Sequence, residues 1–278
     1  MLPRNEKILD QVRAEALRRD IPSAEMQRWL GLARPSALLT QQGDGPVVGA
    51  IRGPVLLPAD AKDPTFPLIA TIDCAALPAD VTDLPLPADG QLLLCGWPEE
   101  DGYGEVMYVP AGVAVEEREQ YPPDFSPDDE ECAEVYAEIP QGDLHLTVDI
   151  SLPYVKTIPG PPWSAPLPGD PPFEELTRVW QEVMGDVPDG AFSYLGHSTP
   201  LLLGGYGTDR NGFNPAWLGA NRSGSAGKDG PPDTGDWVLL AEFHGGRQGG
   251  ATIHWVIQRA DLKERRFDQA SVFVYWNP

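Results

Sequence analysis

Leu144-His145-Leu146-Thr147-Val148-Asp149-Ile150-Ser151-Leu152 is the stretch on which the fold turns. Apolar side chains fill every second position, and polar ones fill the positions between. A β-strand sends successive side chains to opposite faces, so this period of two predicts one strand with Leu144, Leu146, Val148, Ile150 and Leu152 on a single face. Shorter runs bounded by Gly, Pro and Asp lie on the N-terminal side: Pro67–Asp73 (PLIATID), Gly90–Cys95 (GQLLLC) and Glu105–Val109 (EVMYV). Their length and their turn-forming borders are those of buried strands. On the other side, Trp237–Phe243 and Ala251–Ile257 flank a glycine-rich connection, which predicts a hairpin, and Ser271–Trp276 reads as a last strand.

Helical periodicity is confined to a few places. Near the N-terminus an apolar stripe through Ile8, Val12 and Leu17 runs between charged positions. Ile21-Pro22-Ser23 breaks it; Ser23 stands where it can cap a second helix, Ala24–Leu30, ended by Gly31. The pair is expected to form a helical hairpin on the edge of a sheet domain. Ser126-Pro127-Asp128-Asp129-Glu130 combines a capping serine, a first-turn proline and acids suited to the positive end of the helix dipole, so a helix is expected to about Ala137. Phe173–Met184 puts Leu176, Val179, Trp180 and Val183 on one face, with Gly185 following. Thr157–Pro172 holds seven prolines in sixteen residues and reads as a stiff connector. Gly207–Gly235, rich in Gly, Asn, Asp and Pro, reads as a long surface loop.

The fold class these signals predict is α+β and β-rich, with an N-terminal helical segment at 1–34, one β-rich domain at 35–278 and a few peripheral helices. An internal echo refines the expectation. Leu68–Asp73 (LIATID) resembles Leu239–His244 (LLAEFH), and each is followed by a glycine-initiated strand, at Gly90 and at Gly250. Either six residues match by chance, or one strand–loop–strand unit is used twice. The second reading gives two related β-sheet units, about 47–156 and 190–278, packed together with a cleft between them as the default ligand site.

Charge narrows the partners. The chain carries 42 acidic and 20 basic residues, a formal net charge of −22. Such a field repels nucleic-acid phosphates and anionic lipid, so neither nucleic acid nor membrane is expected as a partner. Fourteen acids lie between Glu99 and Glu138 against one base, Arg118. That run is either a solubilising face or a docking surface for a basic protein partner. Cys74, Cys95 and Cys132 are odd in number and form no CxxC, which suits a reducing compartment. The first twenty residues lack an apolar signal core, and no stretch approaches the roughly twenty apolar residues of a membrane span. The expected location is the cytoplasm.

Catalytic motifs are scarce. Ser223-Gly224-Ser225-Ala226-Gly227 does not supply a nucleophile elbow, and Lys228 among glycines is followed by Asp229 rather than Ser or Thr. Gly204-Gly205-Tyr206-Gly207 lacks the third glycine of a dinucleotide loop and reads as a turn. His145, His197, His244 and His254 show no metal-ligand spacing, so neither metal nor cofactor is expected. One geometric juxtaposition stands out. If 237–243 and 251–257 pair with Glu242 opposite His254, then Glu242, His244 and His254 share one face, because side chains alternate strictly. A carboxylate beside two imidazoles can orient a proton shuttle or hold a metal; the plain alternative is an exposed polar face. His197, between Gly196 and Ser198, is either a loop histidine bonded to backbone or a ligand-binding residue.

The same segments resemble a known family. Gly53-Pro54-Val55-Leu56-Leu57-Pro58, Pro67–Asp73 and Leu86–Leu93 look like the first half of the bacterial YwqG-like family of unknown function. His197–Gly205, Asp236–Leu240, Gly250–Ile257, Asp261-Leu262 and Phe267 resemble its second half, in the same order. Arg52-Gly53 stands where the family tends to carry Gly-Gly, Thr65-Phe66-Pro67 where it carries Trp-Pro, and Thr71 and Glu242 where it carries glutamine, so the resemblance is to a divergent member. It implies a bacterial, intracellular protein of mixed α and β structure, with no settled activity. The function expected overall is a non-catalytic binding protein working through its acidic surface, toxin-associated or immunity-like. The alternative is a small-ligand sensor or enzyme with a cleft between the β units, a small molecule as partner, and His197, Glu242, His244 and His254 as ligand-binding residues. No catalytic residue is assigned.

Overall fold

In the computed structural model, residues 3–98, 102, 104–119, 130–152, 172–184, 201–207, 215–223, 236–245 and 251–276 are described. In chain order the elements are α1 Pro3–Arg18, α2 Ser23–Leu30, β1 Arg34–Thr40, β2 Val47–Ile51, β3 Val55–Leu57, β4 Leu68–Asp73, β5 Gln91–Gly96, β6 Gly104–Val109 and β7 Glu116–Arg118. They continue with α3 Glu130–Glu138, β8 Gly142–Ser151, α4 Pro172–Met184, β9 Leu201–Gly204, α5 Pro215–Arg222, β10 Trp237–Gly245, β11 Ala251–Gln258, α6 Arg259–Lys263 and β12 Ser271–Trp276. The chain is β-rich, as its period-two runs dictate. The opening stretch of alternating residues is β8 up to Ser151, with Leu144, Leu146 and Ile150 buried, and Leu152 just past its end is buried too.

Ten strands form one antiparallel sheet in the order β12-β11-β10-β9-β1-β8-β2-β4-β5-β6; β3 and β7 form a small second sheet. The centre is the pairing of β1 with β8, from Arg34 opposite Ser151 to Thr40 opposite His145. The large sheet curls on itself. Ala37, Ile51, Ile72, Leu92, Val106, Leu144, Leu203, Phe243, Trp255 and Val272 belong to one core cluster, so every strand of the large sheet contributes to a single apolar interior. Trp255 Nε1, on β11, reaches across it to donate to the carbonyl of Cys95 on β5 at 3.0 Å. The terminal strands also meet without pairing: Gly104 of β6 lies against Val272 of β12. Full burial of side chains of this size stabilises by about 1.5–3 kcal/mol each, which makes the rolled face the main driving force of the fold.

The two echoing segments occupy matching places. β4 and β10 each stand third from the centre of the sheet. Along β4–β5 the register shifts between Leu68 and Ala70, and along β10–β11 it shifts between Leu239 and Ala241. Superposing those irregularities aligns Thr71 with Glu242, Asp73 with His244 and Leu93 with His254. The preceding strands agree, because Ala50 faces Thr71 as Leu202 faces Glu242. Just beyond, Arg52 and Gly204 both turn at positive φ, 52° and 68°. For a residue with a Cβ that conformation costs about 1 kcal/mol. Arg52 is held there by its bond to the Ile139 carbonyl, 2.8 Å, and by its stacking over Tyr136.

The N-terminal helices make their own small core with α4. Leu9, Val12, Ala16, Met26, Trp29, Leu176, Val179 and Trp180 pack with Ile150 of β8 and with Leu152 just beyond its end. This places the helical lobe against a central strand of the sheet, not on an edge as its sequence suggested. Leu17 is 52 % exposed, because Ala16 rather than Leu17 completes the buried stripe. Ser23 is the first residue of α2 rather than its cap; Pro22 occupies the cap position, and no side chain bonds there. Arg19 ties α1 to α4 through Glu15, Glu175 and Glu182. The start of the helix expected at Ser126 and the connector 157–172, up to its last residue, lie outside the described residues, whereas α3 and α4 form as expected. Within Gly207–Gly235, read from sequence as one long loop, residues 215–222 are the helix α5, opened by Pro215 at a position where a missing N–H costs nothing.

Candidate functional site: a buried carboxylate between two histidines

Strands β10 and β11 are buried along both faces. The inner face lines the common core. The outer face is covered by α5, whose Ala216, Leu218 and Ala220 pack with Trp237, Leu239, Val256 and Phe273. Close approach requires glycine here: a Cβ on Gly219 would lie 2.4 Å from the Trp237 ring. The consequence for the polar residues follows from strand parity. Glu242 stands opposite His254 on β11 and Leu202 on β9, and all three point outward, under α5.

The register is the one that brings the three sequence candidates together. Glu242 Oε1 accepts a hydrogen bond from His244 Nε2 at 2.6 Å, and Oε2 lies 3.1 Å from His254 Nε2. His244 Nδ1 is 3.1 Å from the Thr252 hydroxyl. With Nε2 donating to the carboxylate, a neutral His244 accepts the hydroxyl proton on Nδ1, which assigns the tautomer. Gly207 and Pro215 close the top: a Cβ on Gly207 would sit 2.9 Å from Pro215 Cγ and 3.1 Å from Glu242 Oε2. Glu242 and Thr252 are wholly buried; His244 and His254 are nearly so. An exposed polar face, the plain alternative from sequence, is therefore replaced by a sealed polar cluster, because α5 covers what two strands alone leave open.

Burial alone raises the carboxyl of Glu242. The positive charge of the His254 imidazole and the hydrogen bonds of both histidines outweigh it, and the group is held well below the ordinary carboxylate range. The carboxylate is balanced in charge when one of the two rings carries a proton, and a buried ion with matched partners is stable where an unmatched one is not. In chemical order, hydroxyl, imidazole and carboxylate form the relay of an acyl-transfer triad, with the two ring nitrogens exchanged. Thr252 has no exposed surface, so the relay faces packed side chains instead of a substrate. What the arrangement does is bind β10 and β11 to each other.

Thr252 was missed from sequence, although its parity with His254 on one strand was there to be used. Gly207 carried no signal, since its role depends on α5. His197 lies outside the described residues. Among the described residues no group of three His, Cys, Asp or Glu is arranged around a common point for a metal ion. The thiols of Cys74 and Cys95 are buried; burial pushes Cys74 up to about 12, with Asp73 and Asp89 adding to it, and pushes Cys95 higher still. No helix among the described residues is long and apolar enough to cross a membrane.

The other candidate is the acidic surface. Glu105 is turned inward to accept from the Thr65 and Phe66 amides. Glu116, Glu117 and Glu119 are exposed on and beside β7. Arg118, the one base of the acidic run, is engaged: it meets Asp63 at 3.3 Å and Glu116 at 3.6 Å and donates to the carbonyls of Pro58 and Ala59.

No protein-family model matches the chain, and no curated protein matches it.

Proposed function

We propose that this is a non-catalytic binding protein of the cytoplasm, a divergent YwqG-like member whose acidic surface receives a basic protein, in the manner of an inhibitor or immunity partner of a toxin. The pairing of the arginines carries this reading. Arg13, Arg18, Arg19, Arg28, Arg34, Arg118, Arg178, Arg259 and Arg266 each lie within reach of a carboxylate of the chain itself. Nine of the twenty bases are thus paired with carboxylates inside the molecule, while Glu116, Glu117 and Glu119 are among the acids left exposed under a net charge of −22. A field of that sign concentrates a cationic partner and speeds its encounter, while repelling nucleic acid and anionic lipid. The matched bulges and parities of β4–β5 and β10–β11 support the further proposal that two related units compose the sheet.

The test is capture of partners from native cytosol on the immobilised protein at increasing ionic strength. Basic proteins should be retained at low salt and released as the screening length falls below about 8 Å. Retention indifferent to salt would refute the reading.

A second reading has one observation in its favour, the hydroxyl–imidazole–carboxylate chain of Thr252, His244 and Glu242. It makes the protein a small-ligand sensor or enzyme with a cleft between the β units. Replacement of His254 by alanine separates the two: loss of stability alone supports a structural cluster, and loss of a small-molecule response at unchanged stability supports the second.

A further inference from the structure

The edge of the small sheet offers more than charge. β3 and β7 form a sheet of only two strands. Val55 and Leu57 of β3 are buried against the main sheet, and β7 pairs only with β3 among the described residues, so its other side is unpaired. Before it, residues 110–115 (PAGVAV) are apolar and exposed throughout, with Val113 41 % and Val115 39 % exposed, two of the four large exposed apolar side chains among the described residues. Glu116 and Glu117 follow, also exposed.

An outer strand presents main-chain donors and acceptors along its free side, and proteins protect such edges with charge. Protection by one sign is selective. A second copy of this chain, at −22, is repelled from Glu116, Glu117 and Glu119. A basic strand is attracted. Arg118 does not cancel the attraction, since it is occupied by Asp63, Glu116 and two carbonyls. The exposed valines add apolar anchors beside the acids.

From this juxtaposition we propose that β7 and the valine-bearing segment before it accept one further strand, an extended segment of a basic protein in which cationic and apolar residues alternate. Strand addition draws its affinity from main-chain hydrogen bonds and its selectivity from alternate side chains, here Glu116 for the cationic residues and, at the opposite parity, Val113 and Val115 for the apolar ones. The inference rests on the acidic-surface reading above and names the form in which the partner is received.

The experiment uses the full chain and a fluorescent peptide in which lysine and valine alternate, followed by anisotropy. Binding should weaken with salt. A counterpart N-methylated along its backbone keeps its charge and loses its strand donors, and should bind about tenfold or more weakly. Glu116→Lys with Glu117→Lys should weaken the unmodified peptide by about tenfold or more, and Val113→Ser with Val115→Ser by about threefold, with circular dichroism unchanged. Equal binding of both peptides, or undiminished binding by the glutamate variant, would overturn the proposal. Cytochrome c, a folded basic protein, separates the two failures. If it is held in a salt-dependent way while the peptide is not, strand addition falls and the acidic-surface reading stands; if neither binds, both fall.

Discussion

Strands β4–β5 and β10–β11 share a register, a bulge and a place in the sheet, yet their outer faces differ. On the first, Thr71 faces Leu93, and the Thr71 hydroxyl is buried without a hydrogen-bond partner among the described residues. On the second, Glu242 faces His254, and every polar atom of the carboxylate is met by an imidazole. The same backbone tolerates a lone hydroxyl or a three-membered ionic cluster. The lesson is that the scaffold sets which positions face outward, and the cover laid over them sets what they become. A short two-stranded sheet covers the first; a helix and a glycine turn seal the second.

The contrast breaks most readily at the carboxylate. Glu242→Ala leaves two buried rings without their acceptor and should cost about 3–5 kcal/mol in urea unfolding, whereas Thr71→Ala should cost under about 1 kcal/mol. Equal losses would erase the difference between the faces. Grafting the first face onto the second sharpens it. Glu242→Thr with His254→Leu should cost roughly 1–3 kcal/mol less than the sum of the two single losses, read as a coupling energy in a double-mutant cycle. Strict additivity would mean that the two side chains do not act together.

The cover is tested through Gly219. Alanine there drives a methyl into the Trp237 ring and should cost about 1–3 kcal/mol of stability while leaving the strand signal in far-ultraviolet circular dichroism intact. An unchanged melting curve would show that α5 is not seated on the strands. The smallest effect is in acid. Glu242 has its folded pKa depressed below 4.5, so between the two values the unfolded chain binds the proton and the folded chain does not. The carboxyl's contribution is therefore complete above 4.5 and declines as the pH falls, by at most about 1.4 kcal/mol per unit. Wild type should lose stability against Glu242→Gln on acidification; parallel profiles would contradict the ionised cluster.

Much of this was legible in the residues. Alternation announces β8, the glycine-rich connection announces β10–β11, and parity places Glu242, His244 and His254 on one face once Glu242 stands opposite His254. What stayed hidden depends on segments distant in the chain. Residues 215–222 (PAWLGANR) are too short and too poor in strong helix formers to stand out among glycines and asparagines, yet they decide that the cluster is buried. Ser23 has the chemistry of a cap, but Pro22 takes the cap position. Nothing local tells β1 that it will lie between β8 and β9, because pairing is settled by which apolar faces meet across the core.

That central exchange has a bearing on synthesis. β1 is made among the first strands, yet its two neighbours leave the ribosome more than a hundred residues later. At about 5–20 residues per second the strand waits for many seconds with both sides open. The hydrogen-bonding groups of β1 are therefore left to water until strands made much later in the chain arrive to pair with them.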